Sequence, residues 1–347
     1  MKSLEDKMNK NDFFPLFKKQ FTWWLILAIS IRFIVLYFFS PITDGFYFTT
    51  ESVSCILSLK NPYTHTFTTI PANLLTKNSE SVFAYLPFVP IFSIPFYLLG
   101  EIRYGFILCD IFIGYSIYDI LKKNSYKKAK TSCLIYLFLP FTILWTAWAG
   151  VNTNIGIAFL MLSILFLTKG DEEKAGVCFG LSLAAIQFSL FLIPFLFFYS
   201  FKNSFKKFPL YSIAVCGLIT MPFFLSDMQG VIYDILLYNL TRQTLPVFAM
   251  ASFPHMEFNL SINNFLFTFF GFTIPLFLKI TILLPVLILL VMNCADFRKM
   301  IANSFIFSTI FLFILPNNLL INYFILPIAL GLITDFNYLR KLKIKIK

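Results

Sequence analysis

Charge is what this chain has least of. Only 13% of its 347 residues are Asp, Glu, Lys or Arg, where a soluble domain carries about a quarter. Acids are the scarcer sign, 17 against 28 Lys and Arg, for a formal net charge of +11. Histidine occurs twice, at His65 and His255. Two such distant histidines give no Ser-His-Asp spacing and only weak ground for a metal site, so a divalent metal is possible but unsupported. Six cysteines are scattered, mostly inside apolar runs, without metal-type spacing, and read as buried thiols. The sequence has no G-x-x-x-x-G-K-S/T loop and no dinucleotide fingerprint. It also lacks any long polar stretch, which argues against a separate soluble domain or a soluble nucleotide site.

What is present is apolar. Hydrophobic residues make up 58% of the chain, with 47 Phe, and mean hydropathy is +0.78. Runs of about 18–20 apolar residues recur along the whole length, each enough to cross ~30 Å of hydrocarbon. Most are apolar all round rather than striped. These features predict an all-α polytopic integral membrane protein: one transmembrane domain over 1–347 with about nine to eleven apolar segments. The lysines cluster between apolar runs, as they do in cytoplasmic loops, so the positive charge is no sign of nucleic acid.

The charge pattern orders the segments. Residues 1–20 form a cytoplasmic tail, and 21–40 a retained first span, since no small-residue cleavage site follows it. Residues 41–80 are then a first outside loop, with a short interfacial helix within 44–60. Pro87, Pro90 and Pro95 break the run 81–100, which reads as re-entrant. The run 104–121 then ends at the lysine-rich, cytoplasmic 122–130. Spans at 131–148 and 155–168 follow. The run 175–200, with Gln187 near its middle and Pro194 beyond, reads as a broken pair of short helices. A span at 208–225 leads to a second outside loop, 226–264, where an amphipathic stretch at 229–240 precedes Arg242. Runs at 273–293, 302–316 and 319–335 complete the bundle, the last two flanking Asn317 and Asn318, and 336–347 is a basic cytoplasmic tail. No repeat of the transporter type is visible.

Four residues carry candidate chemistry. Asp44 stands at the outer end of the first span, either as a helix cap or as a general base that orients an acceptor hydroxyl. Glu51, seven residues on and on the same helical face, is a candidate second acceptor contact. Arg32 lies mid-span and must pair, with Asp110 or Asp119 or with an anionic ligand. Arg242, at the outer interface, suits a phosphate or a lipid headgroup. Polar groups gathered in two outside loops favour outside chemistry on a lipid-borne substrate. A transporter or flippase would instead show charges at matched positions in two halves. A non-catalytic assembly subunit is the third reading.

The motif order resembles the GT-C glycosyltransferases, nearest the polyprenyl-phosphate-mannose-dependent mannosyltransferases and GPI mannosyltransferase I. The likeness rests on Asp44 after the first span, the turn Asn61-Pro62-Tyr63 and the element Tyr85-Leu86-Pro87. It continues through "GEIRYGFILCDIFIGYSIYDILKK", "AGVCFGLSLAAIQFSLFLIP", "GVIYDILLYNLTRQ" and "NNLLINYFILPI". Phe46 stands where the GPI-type enzymes have the second acid of an Asp-x-Asp pair. Gln187 stands for a lysine, and Gly150-Val151 for a Gly-Gln. The resemblance implies inverting transfer of a hexose, mannose in the nearest types, from a polyprenyl-phosphate donor on the outer face. Asp44 would be the base and Arg242 the donor-phosphate contact. Glu51, Tyr63 and Tyr85 would shape the acceptor and sugar pocket, with Arg32 a further candidate substrate contact. The implied partners are membrane lipids, the lipid-linked sugar and a glycan, glycolipid or protein acceptor. The implied location is a prokaryotic plasma membrane or a eukaryotic ER membrane.

Overall fold

A computed structural model describes residues 13–68, 82–238, 248–250, 256–258, 260–294, 296–317 and 321–334. Among the described residues the chain is helical apart from one two-stranded antiparallel ribbon, β1 (Phe248–Met250) with β2 (Met256–Phe258). It begins with α1 (Phe13–Phe38), α2 (Asp44–Leu57), a 3-10 turn at Pro62–Thr64 and α3 (Phe88–Leu98). Then come α4 (Arg103–Lys122), α5 (Tyr126–Phe138), α6 (Pro140–Ile143, extended by a π turn to Trp148) and α7 (Thr153–Lys169). Next are α8 (Glu172–Leu183), a 3-10 turn at Gln187–Leu192, α9 (Ile193–Lys202), α10 (Lys207–Ser226) and α11 (Met228–Ile232, extended by a π turn to Leu237). After the ribbon follow α12 (Ile262–Phe270), α13 (Leu276–Met292), α14 (Phe297–Ile314), a 3-10 turn at Ile321–Phe324 and α15 (Ile325–Ile333).

Among the described residues four helices are long and apolar enough to cross a bilayer: Gln20–Phe38, Arg103–Lys122, Lys207–Ser226 and Phe297–Ile314. The pair Tyr126–Phe138 and Pro140–Trp148 passes the same test together but is bent by 48°, as in a broken span or a re-entrant loop. The bend falls at Pro140, where the ring removes a backbone donor and pushes Leu139 into an extended conformation. Five shorter apolar helices complete the set: Phe88–Leu98, Thr153–Lys169, Gln187–Lys202, Leu276–Met292 and Asn322–Ile333. This is an integral membrane protein. The proline-rich run 81–100 yields only the 11-residue α3, ~16 Å long and about half the thickness of a hydrocarbon core.

The predicted break in 175–200 falls between α8 and the turn at Gln187. Backbone freed at membrane depth must find partners inside the protein. Here Ser182 Oγ donates to the carbonyl of Gly156 at 2.7 Å and lies 2.7 Å from Ser189 Oγ. The glycines of the "AGVCFG" segment have a packing role. A Cβ on Gly176 would meet the carbonyl of Phe208 at 2.7 Å, and one on Gly180 the carbonyl of Ser212 at 2.7 Å. This spacing of small residues lets α8 and α10 approach backbone to backbone.

Arg32 and Asp119, both buried in the bundle, meet partners of opposite charge. Arg32 is fully buried, and its Nε donates to Asp110 Oδ2 at 2.9 Å. Its other donors reach the carbonyls of Leu137 at 2.6 Å and Ala28 at 3.2 Å, and Thr142 Oγ1 at 3.1 Å. Asp110 also accepts from Tyr136 and Thr146. Of the roles open to Arg32, the structure shows the pair with Asp110. Arg32 lines neither of the two cavities described below: its guanidinium ties α1 to α4, α5 and α6. Asp119 instead pairs with Lys122 and Lys169.

Candidate functional site

A cavity of about 430 Å³ opens beside the first residue of α2. The start of that helix is pinned from below. Thr43, its N-cap, donates through Oγ1 to the carbonyl of Ala149 at 2.8 Å and through its amide to the same oxygen at 3.2 Å. The next residue, Gly150, adopts a left-handed conformation (φ +79°), and a Cβ there would lie 3.1 Å from Phe46. Asp44 is thus the first residue of a helix whose origin is fixed, and an acid suits that end of the helix dipole. Its Oδ1 accepts from the amide of Gly45 at 2.7 Å.

Tyr85 comes to the same place from another segment. A Cβ on Gly45 would meet Tyr85 Oη at 2.8 Å, so the phenol sits against the first turn of α2. Three groups hold the Tyr85 segment. Tyr63 Oη donates to the carbonyl of Tyr85 at 2.7 Å, Gln187 Nε2 to that of Ala84 at 2.8 Å, and the amide of Phe83 donates to Asp234 Oδ2 at 3.1 Å. The Asn-Pro-Tyr turn supplies the first of these. Asn61 Oδ1 accepts from the amide of Tyr63, Pro62 fits the first position of the turn, and Asn61 Nδ2 donates to Ser226 Oγ at 2.6 Å. Tyr63 is buried and does not line the cavity. Burial, and then the nearby Asp234 carboxylate, push its phenol well above the ordinary range, which keeps it a hydrogen-bond donor. Tyr63, expected as a pocket contact, positions Tyr85 instead.

The other walls come from distant parts of the chain: Asn152 and Thr153 at the start of α7, Gln187 and Phe188 after the break, Tyr238 beyond α11, and Asn317 and Tyr323 near the end. Asn152 Nδ2 donates to Thr49 Oγ1 at 2.9 Å, and Tyr323 packs edge-to-face on Phe188 with centroids 4.5 Å apart. The described parts of 41–80 and 226–264 meet here. Phe48, Tyr63, Phe67, Phe83 and Val231 form one small apolar cluster. Arg242 and His255 lie outside the described residues.

Glu51 faces elsewhere, a correction to its expected place beside Asp44. Seven residues advance ~10 Å along a helix, which carries Glu51 to a second cleft of about 480 Å³ lined by Phe46, Tyr47, Lys60, His65 and Tyr97 among others. Its Oε1 lies 2.8 Å from His65 Nε2, and its carboxylate accepts from the amide of Thr68 at 3.1 and 3.2 Å. Phe46 lines this second cleft under the Arg103 guanidinium, 5.7 Å from the ring centre. A second acid at position 46 would therefore point away from the cavity of Asp44. Among the described residues no group of three or more His, Cys, Asp or Glu is placed to hold a metal.

The sequence pointed to Asp44, Tyr85 and Gln187 but not to Asn152, Thr153, Asn317 or Tyr323 as wall residues. Asn152, Thr153 and Asn317 share a signal of position, since each stands at a break between apolar runs; Tyr323 lies inside the run 319–335 and has none.

No protein-family model matches the sequence, and no curated protein matches it significantly. Among solved structures, the chain is similar to the crystal structure of ArnT from Cupriavidus metallidurans bound to undecaprenyl phosphate. The TM-score is 0.54 at 16% sequence identity, over 90% of this chain and 59% of that one. This chain thus spans about three fifths of the length of ArnT. At that identity the likeness concerns the fold alone: this chain shares the fold of that structure over most of its length.

Proposed function

We propose that this protein is a membrane glycosyltransferase that moves a hexose from a polyprenyl-phosphate donor to an acceptor hydroxyl, with Asp44 as general base. The observation that carries this reading is convergence. Segments spread from Asp44 to Tyr323 each place a residue on one cavity wall, with a carboxylate at its edge. The fold is that of a protein that binds undecaprenyl phosphate. Apolar walls that include Phe48, Ile186, Phe191 and Leu315 suit the first prenyl units of such a lipid.

In this reading Asp44 takes the proton of the acceptor hydroxyl. The freed oxygen forms a bond to the anomeric carbon while the bond from that carbon to the donor phosphate oxygen breaks. Attack opposite the leaving group inverts the anomeric centre. The polyprenyl phosphate departs as a monoester with one more negative charge, which a cation such as Arg242 would offset. Tyr85, against the same helical turn, is placed to shape the sugar pocket. Mannose is the sugar that the sequence resemblance favours, and transfer on the outer face follows from the charge pattern.

The test is transfer from labelled donors in membranes that contain the protein. Label should move from polyprenyl-phosphate hexoses and not from nucleotide sugars. Transfer from a nucleotide sugar alone would overturn the donor class.

A further inference from the structure

One wall of the cavity hides a cation. Lys279 lies in the first turn of α13 and is 1% exposed. Its Nζ donates to the carbonyl of Leu315 at 3.0 Å and to Asn317 Oδ1 at 2.8 Å. Asn317 Oδ1 also accepts from Asn263 Nδ2 at 3.0 Å, and the Asn317 carbonyl from Asn264 Nδ2 at 2.9 Å. These partners are all neutral, and among the described residues no carboxylate reaches Lys279. Arg32, another deeply buried cation of an apolar helix, meets Asp110. A buried charge in a membrane protein is costly without a partner of opposite sign.

The place of Lys279 suggests where that partner comes from. Asn317 lines the cavity, as do Pro275, Leu276, Leu315 and Pro316 around it, so the ammonium stands one side chain behind the wall. Asp44 is the one charged side chain among the described residues that line the cavity. An anionic ligand would otherwise meet a wall of its own sign. Two donors on Asn317 Oδ1 also fix which end of that amide is oxygen, so the lysine sets the polarity of the wall as well as its field.

We propose that Lys279 is the fixed counter-charge for the phosphate of the lipid-linked substrate, acting from behind Asn317. It is a positioning residue: it selects a phosphorylated polyprenyl chain over the uncharged alcohol. The proposal rests on the reading of this cavity as a polyprenyl-phosphate site.

The experiment uses the full chain in nanodiscs and measures binding of a polyprenyl phosphate and of the polyprenol of equal length. The wild type should prefer the phosphate. Lys279→Gln keeps donors for Leu315 and Asn317 but removes the charge. It should lose about tenfold or more in affinity for the phosphate, with polyprenol binding unchanged. Lys279→Arg should keep the preference. Millimolar inorganic phosphate should not displace the lipid, and displacement would overturn the lipid as the source of the anion. A Lys279→Gln protein that retains the full preference, or that loses both lipids equally, would overturn the role of Lys279 while leaving the cavity reading intact. A wild type without preference would sink the cavity reading itself.

Discussion

The two acids of α2 show how alike residues divide their work. Glu51 has its carboxylate committed to His65 and Thr68 and so fastens residues 65–68 to the helix. Among the described residues the Asp44 carboxylate accepts one hydrogen bond, from the amide of its own neighbour, and lines a cavity. A carboxylate whose oxygens are taken shapes a loop, whereas one that faces open space can accept a proton. Sequence spacing alone made the two look like partners in one pocket.

That contrast can be broken experimentally. The largest expected effect is that of Asp44→Asn, a roughly 100- to 10,000-fold loss of transfer rate at unchanged protein level, read as product formed per unit of protein. Next is Gly45→Val. Its side chain would press on Tyr85 Oη, 2.8 Å from the added Cβ, and displacement of the phenol should cost on the order of 100-fold in rate. Tyr63→Phe removes the bond to the Tyr85 carbonyl. It should cost about 1 kcal/mol, seen as a several-fold rise in KM or fall in rate with little change in melting temperature. The smallest effect on rate is that of Glu51→Gln, within about twofold of wild type. Its mark should be faster proteolysis near residues 65–68. A Glu51→Gln enzyme as dead as Asp44→Asn would join the two clefts into one site.

Much of the fold was legible because membrane helices obey a length rule and a charge rule. The broken run at 175–200 shows it: proline and polar residues inside an apolar run mark where helices stop, although the bend at Pro140 inside 131–148 went unread. Asp44 and Tyr85 were visible as acid and phenol beside a turn motif. Three features were not visible, for physical reasons. Helical spacing gives a face but not which loop folds over it, so Glu51 was set beside Asp44. An intramembrane arginine announces that it pairs but not with which of several partners, so the choice for Arg32 among Asp110, Asp119 and a ligand awaited the structure. Lys279 was the lone charge inside the run 273–293 and was absorbed into it, because hydropathy averaged over a window dilutes a single cation.

The central claim is that the carboxylate of Asp44 removes the acceptor proton and does not hold the donor. The direct measurement follows donor binding and single-turnover sugar transfer side by side, in nanodiscs, for wild type and Asp44→Asn. The account predicts that the variant binds the polyprenyl-phosphate sugar as tightly as wild type and transfers essentially none of it. Transfer at the wild-type rate, or loss of donor binding itself, would contradict it.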